Sequence, residues 1–181
     1  MLLKGSNPCD YTGVRPRNTN AQRVGCVWGH NQYWEMEEII YRKSNKDDLP
    51  QILAMMEAFD LNAANIIDDG FLVAAAGSRI LGCARITEIG DGNIELSSMA
   101  VAEDCRKKGI GSKIIKMLLA AEKRRPVYLM CKRKNQEFYE EQGFKEIRDD
   151  LLPAAYKSKI DLIISPTRRI IGDGLAMIKK L

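Results

Sequence analysis

Three basic residues and two glycines stand together in Arg106-Lys107-Lys108-Gly109-Ile110-Gly111-Ser112. These types at this spacing suit an anion site. The first N–H groups of a helix have no partner within it and, with the helix dipole, attract negative charge. Glycine lets a phosphate approach the backbone without meeting a Cβ. Arg106, Lys107 and Lys108 add positive charge beside it. The two best-known nucleotide loops do not fit. GxxxxGK[ST] demands another spacing and order, and GxGxxG would need glycine at position 114, which is Ile114. Nor does a strand run directly into Gly109, as a dinucleotide fold requires. The plain alternative is a solvated basic turn ahead of a core helix.

Other chemistry-bearing residues are sparse. His30 is the one histidine, with Cys26 four residues before it. That is half a metal site with no second ligand pair, so no metal centre is expected. The five cysteines, Cys9, Cys26, Cys83, Cys105 and Cys131, are odd in number, scattered, and form no CxxC. They support neither a zinc ribbon nor a disulfide framework. Cys83 and Cys131 lie in apolar runs and read as buried thiols.

The elements that must position the glycines can be read from periodicity. Residues 1–35 are polar, scattered with Gly, Pro and Asn, and without period. They read as a loosely ordered or surface-laid extension, tacked down by Trp28, Tyr33 and Trp34, before a domain over 36–181. "EIIYRKS" (38–44) reads as a strand. A helix follows, with Asn45 or Asp47 as N-cap, Pro50 in its first turn, and Leu49, Ile52, Leu53, Met56 and Phe59 on one face. A short second helix is expected over 62–68. Two strands meet at Gly77-Ser78, and "GDGN" (90–93) turns into a central strand, "IELSSMAV" (94–101). Ile110, Ile114, Ile115, Leu118 and Leu119 form a helical stripe. Arg124 and Arg125 complement that helix's C-terminus, and Pro126 stops it. A buried strand (127–133), a short helix ended by Gly143, a strand at "FKEI", a helix over 153–163 and a last strand over 174–181 complete the order. This is one α/β domain with a mixed central sheet flanked by helices.

Composition bounds the function. The 181 residues are 45% hydrophobic and carry 28 basic against 24 acidic side chains, a net charge of +4. That excess suits a local anion site rather than a nucleic-acid-binding face. No run approaches the roughly 20 apolar residues of a membrane span, and the N-terminus lacks the apolar core of a secretory signal. A cytoplasmic setting is expected, with neither nucleic acid nor membrane as partner.

Arg106-Lys-Lys-Gly-Ile-Gly111 fits the R/Q-x-x-G-x-G/A signature, and "NQEFYEEQGFKEI" the N…FYxxxGF segment, of the GNAT N-acetyltransferase superfamily. The chain resembles that family over about 38–181, most strongly over 94–147. The resemblance implies that the anion is the pyrophosphate of coenzyme A, cradled by the amides of Lys107, Lys108, Gly109, Ile110, Gly111 and Ser112 beside Arg106. It implies that the pantetheine arm lies between splayed strands 94–101 and 127–133, pairing with the main chain at Met99, Ala100 and Val101. Asn135 is similar to a family residue that touches the coenzyme; as an N-cap it would be equally well explained.

The reaction so implied is direct transfer of an acetyl group from acetyl-CoA to a primary amine, without a metal. An amide at Met99 or Ala100 would stabilise the thioester oxygen as it becomes negative. The amine, whose proton is held to about pH 10.4 in a free lysine, needs a base. Glu95, six residues before Val101, stands where some family members place one, and strand alternation puts Glu95, Ser97, Met99 and Val101 on one face. A surface carboxylate at a strand end is the plain reading. Tyr139, four residues before Gly143, stands where the family commonly places the acid that protonates the leaving thiolate; the plain reading is an aromatic anchor, which Phe138 also supplies.

The acceptor is open. "LP…Y" after "GFKEI" resembles the amino-acid N-acetyltransferase branch. Arg42, Arg85, Arg168 or Arg169 would then hold a carboxylate. Alternatively Glu57, Asp60, Asp68 and Asp69 attract a cationic amine or a protein lysine. The long loop over 148–173 covers the core or serves a homodimer contact. A rival of another class is a non-catalytic acyl-CoA-binding sensor or scaffold.

Overall fold

The computed structural model of the chain describes residues 38–59, 70–158 and 174–180. The N-terminal extension, the helix expected over 62–68, the far part of the helix expected over 153–163 and Arg168 and Arg169 lie outside those residues.

Seven strands form one sheet. They are β1 (Ile40–Lys43), β2 (Phe71–Ala76), β3 (Arg79–Gly90), β4 (Asn93–Val101), β5 (Val127–Lys132), β6 (Lys145–Glu146) and β7 (Gly174–Lys179). Their spatial order is β1-β2-β3-β4-β5-β7-β6. Neighbours are antiparallel except β4 and β5, which run parallel. The sheet is therefore mixed, as the alternation of elements predicts. β2, β3 and β4 follow one another through turns at Gly77-Ser78 and Asp91-Gly92, where the sequence places them. Among the described residues no helix is long and apolar enough to cross a membrane.

Helix α1 (Leu49–Ala58) packs Ile52 and Met56 against one face of the sheet, with Phe71, Val73, Ala75, Ile80, Cys83 and Ala100. Helix α2 (Ile110–Ala121) covers the other face, where Ile110, Ile114, Ile115 and Leu119 meet Leu81, Ala84, Ile94 and Leu96. Helix α3 (Gln136–Glu141) is short and contributes Tyr139 to this second cluster. Arg125 serves the α2 C-terminus directly: its guanidinium donates to the carbonyls of Leu119 at 2.8 Å and Glu122 at 2.7 Å. Arg124 instead pairs with Glu122 and Glu88 on the surface.

Asn45 caps a 3-10 turn (Lys46–Asp48) that leads into α1, in a capping box with Asp48. The Asp48 carboxylate is only 5% exposed. It also takes two hydrogen bonds from Arg42 of β1, at 2.6 and 2.8 Å. These bonds hold its pKa below the usual carboxylate value. A depressed pKa stabilises the fold above the unfolded carboxyl's value of about 3.9, and the gain is lost as pH falls through the folded value. We therefore expect Asp48→Ala to lower the unfolding free energy by about 2 kcal/mol at pH 7. In urea titrations the gap from wild type should narrow as the pH falls below about 4.

Candidate active site

After β4 the chain makes a 3-10 turn (Glu103–Cys105), anchored by the buried Cys105, and then the basic loop. Lys107 has φ 60° and Gly109 φ 77°. Left-handed residues interspersed in such a loop turn successive N–H groups into a concavity. Among the described residues, none of the amides from Lys107 to Ser112 has a protein acceptor; the next, Lys113, bonds the Gly109 carbonyl at 3.0 Å. The open amides predicted from the glycine spacing are thus present. Arg106 is partly committed to the protein: Nε donates to the Val101 carbonyl at 3.3 Å and the guanidinium stacks 4.6 Å from the Phe59 ring centroid. Ser112 Oγ accepts from Gln142 Nε2 at 3.3 Å, which ties the start of α2 to the end of α3.

The two glycines do different work. Gly109 takes a left-handed conformation in open space. Gly111 is a packing glycine, because a Cβ there would stand 2.8 Å from Met99 Cε and 3.2 Å from the Phe138 ring.

β4 and β5 pair over two residue couples only, Ile94↔Val127 and Glu95↔Tyr128. Beyond Glu95 they diverge, and the main chain of β4 on that side finds no strand. This is the splay expected between 94–101 and 127–133. β5 meanwhile stays paired with β7 along its whole length.

The expectation that Glu95, Ser97, Met99 and Val101 share a face is corrected. Arg85 pairs with Ser97 and Cys83 with Ala100, so Ser98 and Met99 together oppose Ala84. This is a β-bulge, with Ser98 at φ 55°. The extra residue reverses the alternation. Met99 and Val101 pack with the α2 cluster, while Glu95 and Ser97 point to the opposite face. The bulge also sorts the amides. Ala102 N–H donates to Leu81 of β3 at 2.8 Å, and the Ala100 amide is directed at the Cys83 thiol. Alternation leaves the Met99 and Val101 amides on the open side. Burial pushes the Cys83 thiol up to about 12, over smaller opposing pulls from the Ala100 amide and the Arg85 charge, so it stays a neutral thiol.

Tyr139 is 8% exposed, its ring edge-on to Phe138 and Phe144 with centroids 5.0 and 6.3 Å away. Burial, with a smaller contribution from Cys131, raises its pKa well above the tyrosine value. It holds its proton throughout the neutral range. Glu95 is no surface carboxylate: it is 3% exposed, and its Oε1 accepts from Tyr156 Oη at 3.1 Å. Tyr156 has 0% exposure and stacks tilted on Tyr128, with 5.4 Å between centroids. The sequence marked Tyr156 only within "LP…Y" and gave it no role. Asn135 stands at the N-cap position of α3, as the sequence allows, but its exposed side chain makes no capping bond. Among the described residues no cluster of three or more His, Cys, Asp or Glu could hold a metal ion. The slot between β4 and β5 thus has the open amides at the start of α2 on one side and the buried Glu95 on the other.

Comparison with known proteins agrees with this geometry. The acetyltransferase (GNAT) domain model matches residues 68–146. An N-acetyltransferase of Chlorobaculum tepidum, CT2212, is 31% identical over 122 residues, covering 65% of this chain and 76% of its own. The chain belongs to the GNAT acetyltransferase family. It is accordingly an acyltransferase. Among solved structures, the GNAT fold is shared with Rv2747 of Mycobacterium tuberculosis in complex with CoA and NLQ, at 19% identity and TM-score 0.65 over 78% of this chain and 99% of that one. It is shared too with N-acetylglutamate synthase of Neisseria gonorrhoeae in complex with coenzyme A and N-acetyl-glutamate, at 15% identity and TM-score 0.65 over 79% of this chain and 35% of that one.

The separate roles of the glycines in this GNAT loop are testable. Gly109→Ala, which puts a Cβ in the left-handed region, should cost about 1–2 kcal/mol, whereas Gly111→Ala, where the flexible Met99 terminus can give way and helix propensity is gained, should cost under about 1 kcal/mol. Chemical denaturation of both variants against wild type measures the difference.

Proposed function

We propose that the chain moves an acetyl group from acetyl-CoA to the primary amine of a small molecule, an amino acid being the favoured class, by direct attack without a covalent enzyme intermediate. The observation that carries the reading is the run of acceptor-less amides from Lys107 to Ser112 beside the unpaired edge of β4. A pyrophosphate suits the first and a strand-like pantetheine arm the second. Lys107 and Lys108 add charge, and the exposed Asn135 side chain is available to the coenzyme. Bound there, acetyl-CoA supplies the activated acyl group.

The remaining tasks fall to this chain. Glu95 takes the proton from the acceptor ammonium, and Tyr156 holds that carboxylate in place. The Met99 amide, on the open side of β4, stabilises the oxygen of the thioester carbonyl as charge develops; Ala100, turned toward β3, does not. Tyr139, kept protonated by burial, gives its proton to the departing sulfur. The amino-acid preference draws support from N-acetylglutamate synthase, which shares the fold and was solved with N-acetyl-glutamate. It draws further support from the buried Glu95–Tyr156 contact, which sets the base on the sheet face away from α2.

In assays of thiol release across amines and amino acids, Tyr139→Phe and Glu95→Gln should each lower kcat by about 10²–10⁴-fold. Coenzyme A affinity, read by calorimetry, should stay within about threefold of wild type, since neither residue faces the pyrophosphate loop. Tight coenzyme binding with no thiol release for any acceptor would identify a coenzyme-binding module instead.

A further inference from the structure

The arginines that could hold a carboxylate are sorted by their surroundings. Arg42 is consumed by its two bonds to Asp48. Arg79 is paired with Asp104, Arg106 with the Val101 carbonyl, and Arg125 with the end of α2. Arg85 differs. It stands half-buried on β3, on the face opposite α2, with its guanidinium 4.9 Å from the centroid of the Phe71 ring. Its Nε is buried without a hydrogen-bond partner. Among the described residues the rest of the guanidinium enters no hydrogen bond or contact ion pair. A guanidinium cannot shed its charge to escape burial, so a fork left unfilled among the described residues at this depth suits an anion that arrives from outside.

Its neighbours say which kind of anion. Ser97 lies directly across from Arg85, and Glu95 pairs with Thr87, two residues along β3. Glu95 is therefore the diagonal neighbour of Arg85 on the same face, at a spacing of about 7–8 Å between such positions. The Thr87 and Ser97 hydroxyls, 3.2 Å apart, lie beside them. The face thus offers a base for an amine and, one diagonal away, a planar fork that matches a carboxylate bidentately. Burial lowers the pKa of Arg85 and the Glu95 charge opposes this, which places the two groups in electrostatic reach.

We propose that Arg85 selects the acceptor, binding the carboxylate of an α-amino acid whose amine is presented to Glu95. The inference rests on Glu95 as the base of the acetyl transfer proposed above. Arg85 touches a part of the acceptor that does not react, so its effect falls on KM rather than kcat.

The test compares free amino acids with their α-amides and their decarboxylated amines, using wild type, Arg85→Met and Arg85→Lys with acetyl-CoA. Wild type should favour the acid over its amide by at least about 10²-fold in kcat/KM. Arg85→Met should raise KM for the acid by about 10²-fold and collapse the acid-to-amide preference. Arg85→Lys, which keeps the charge but loses the fork, should recover part of that preference. If Arg85 merely neutralises Glu95, both variants will displace the pH–rate profile equally for acid and amide, and the inference is overturned. It is also overturned if wild type acetylates the amide as readily as the acid, a result that leaves the acetyltransferase reading standing. Absence of turnover with every acceptor removes both. Should Arg85→Met fail to fold, as read by its melting curve, the lysine variant and the wild-type preference still decide.

Discussion

The site depends on one interruption of hydrogen bonding. β4 and β5 make parallel contact at Ile94↔Val127 and Glu95↔Tyr128 and then separate. A strand edge in the middle of a sheet is an unusual exposure of donors and acceptors, since nearly all buried backbone groups are paired. Here the gap is maintained from both sides. α2 and α3 are held together across it by Gln142 and Ser112 and by the close contact of Gly111 with Met99 and Phe138. β7 secures β5 in full register on its far side. β3 likewise secures β4, so each strand is held in place without the other.

Polarity is distributed unevenly around that slot. On the α2 side Tyr139 is enclosed by aromatic and sulfur-bearing neighbours, and desolvation preserves its proton. On the other side Glu95, Tyr156, Thr87, Ser97 and Arg85 gather hydroxyls and charge on one face of the sheet. The raised pKa of Tyr156, from burial and then from Glu95, keeps it a donor to that carboxylate.

Much of this was legible in the chain. The glycine spacing gave the open amides because φ demands and helix ends are local matters. The stripe from Ile110 to Leu119 gave α2 for the same reason. Arg125 was correctly set at the helix end, although its hydrogen bonds to Leu119 and Glu122 are stronger contacts than a dipole argument foresees. The rest depends on distant partners. Glu95 and Tyr156 are 61 residues apart, and nothing near either one announces the other. Which arginine, among the described residues, keeps an open fork depends on who pairs with the rest. Ser97-Ser98 lacks the Gly, Asn or Asp that usually marks a left-handed residue, so the bulge was invisible until β3 supplied a register to count against.

That bulge has a wider consequence. Because side chains alternate with period two, one inserted residue acts as a change of parity. Upstream of Ser98 the odd-numbered positions of β4 face Arg85 and Tyr156; downstream they face α2. A continuous strand of the same length would have to present Glu95 and Val101 on one surface. The extra residue lets a single strand turn the same parity of side chains to both faces of the sheet. Substitution on either half then alters one face of the sheet without disturbing the other, so long as the residue count between Glu95 and Val101 is kept.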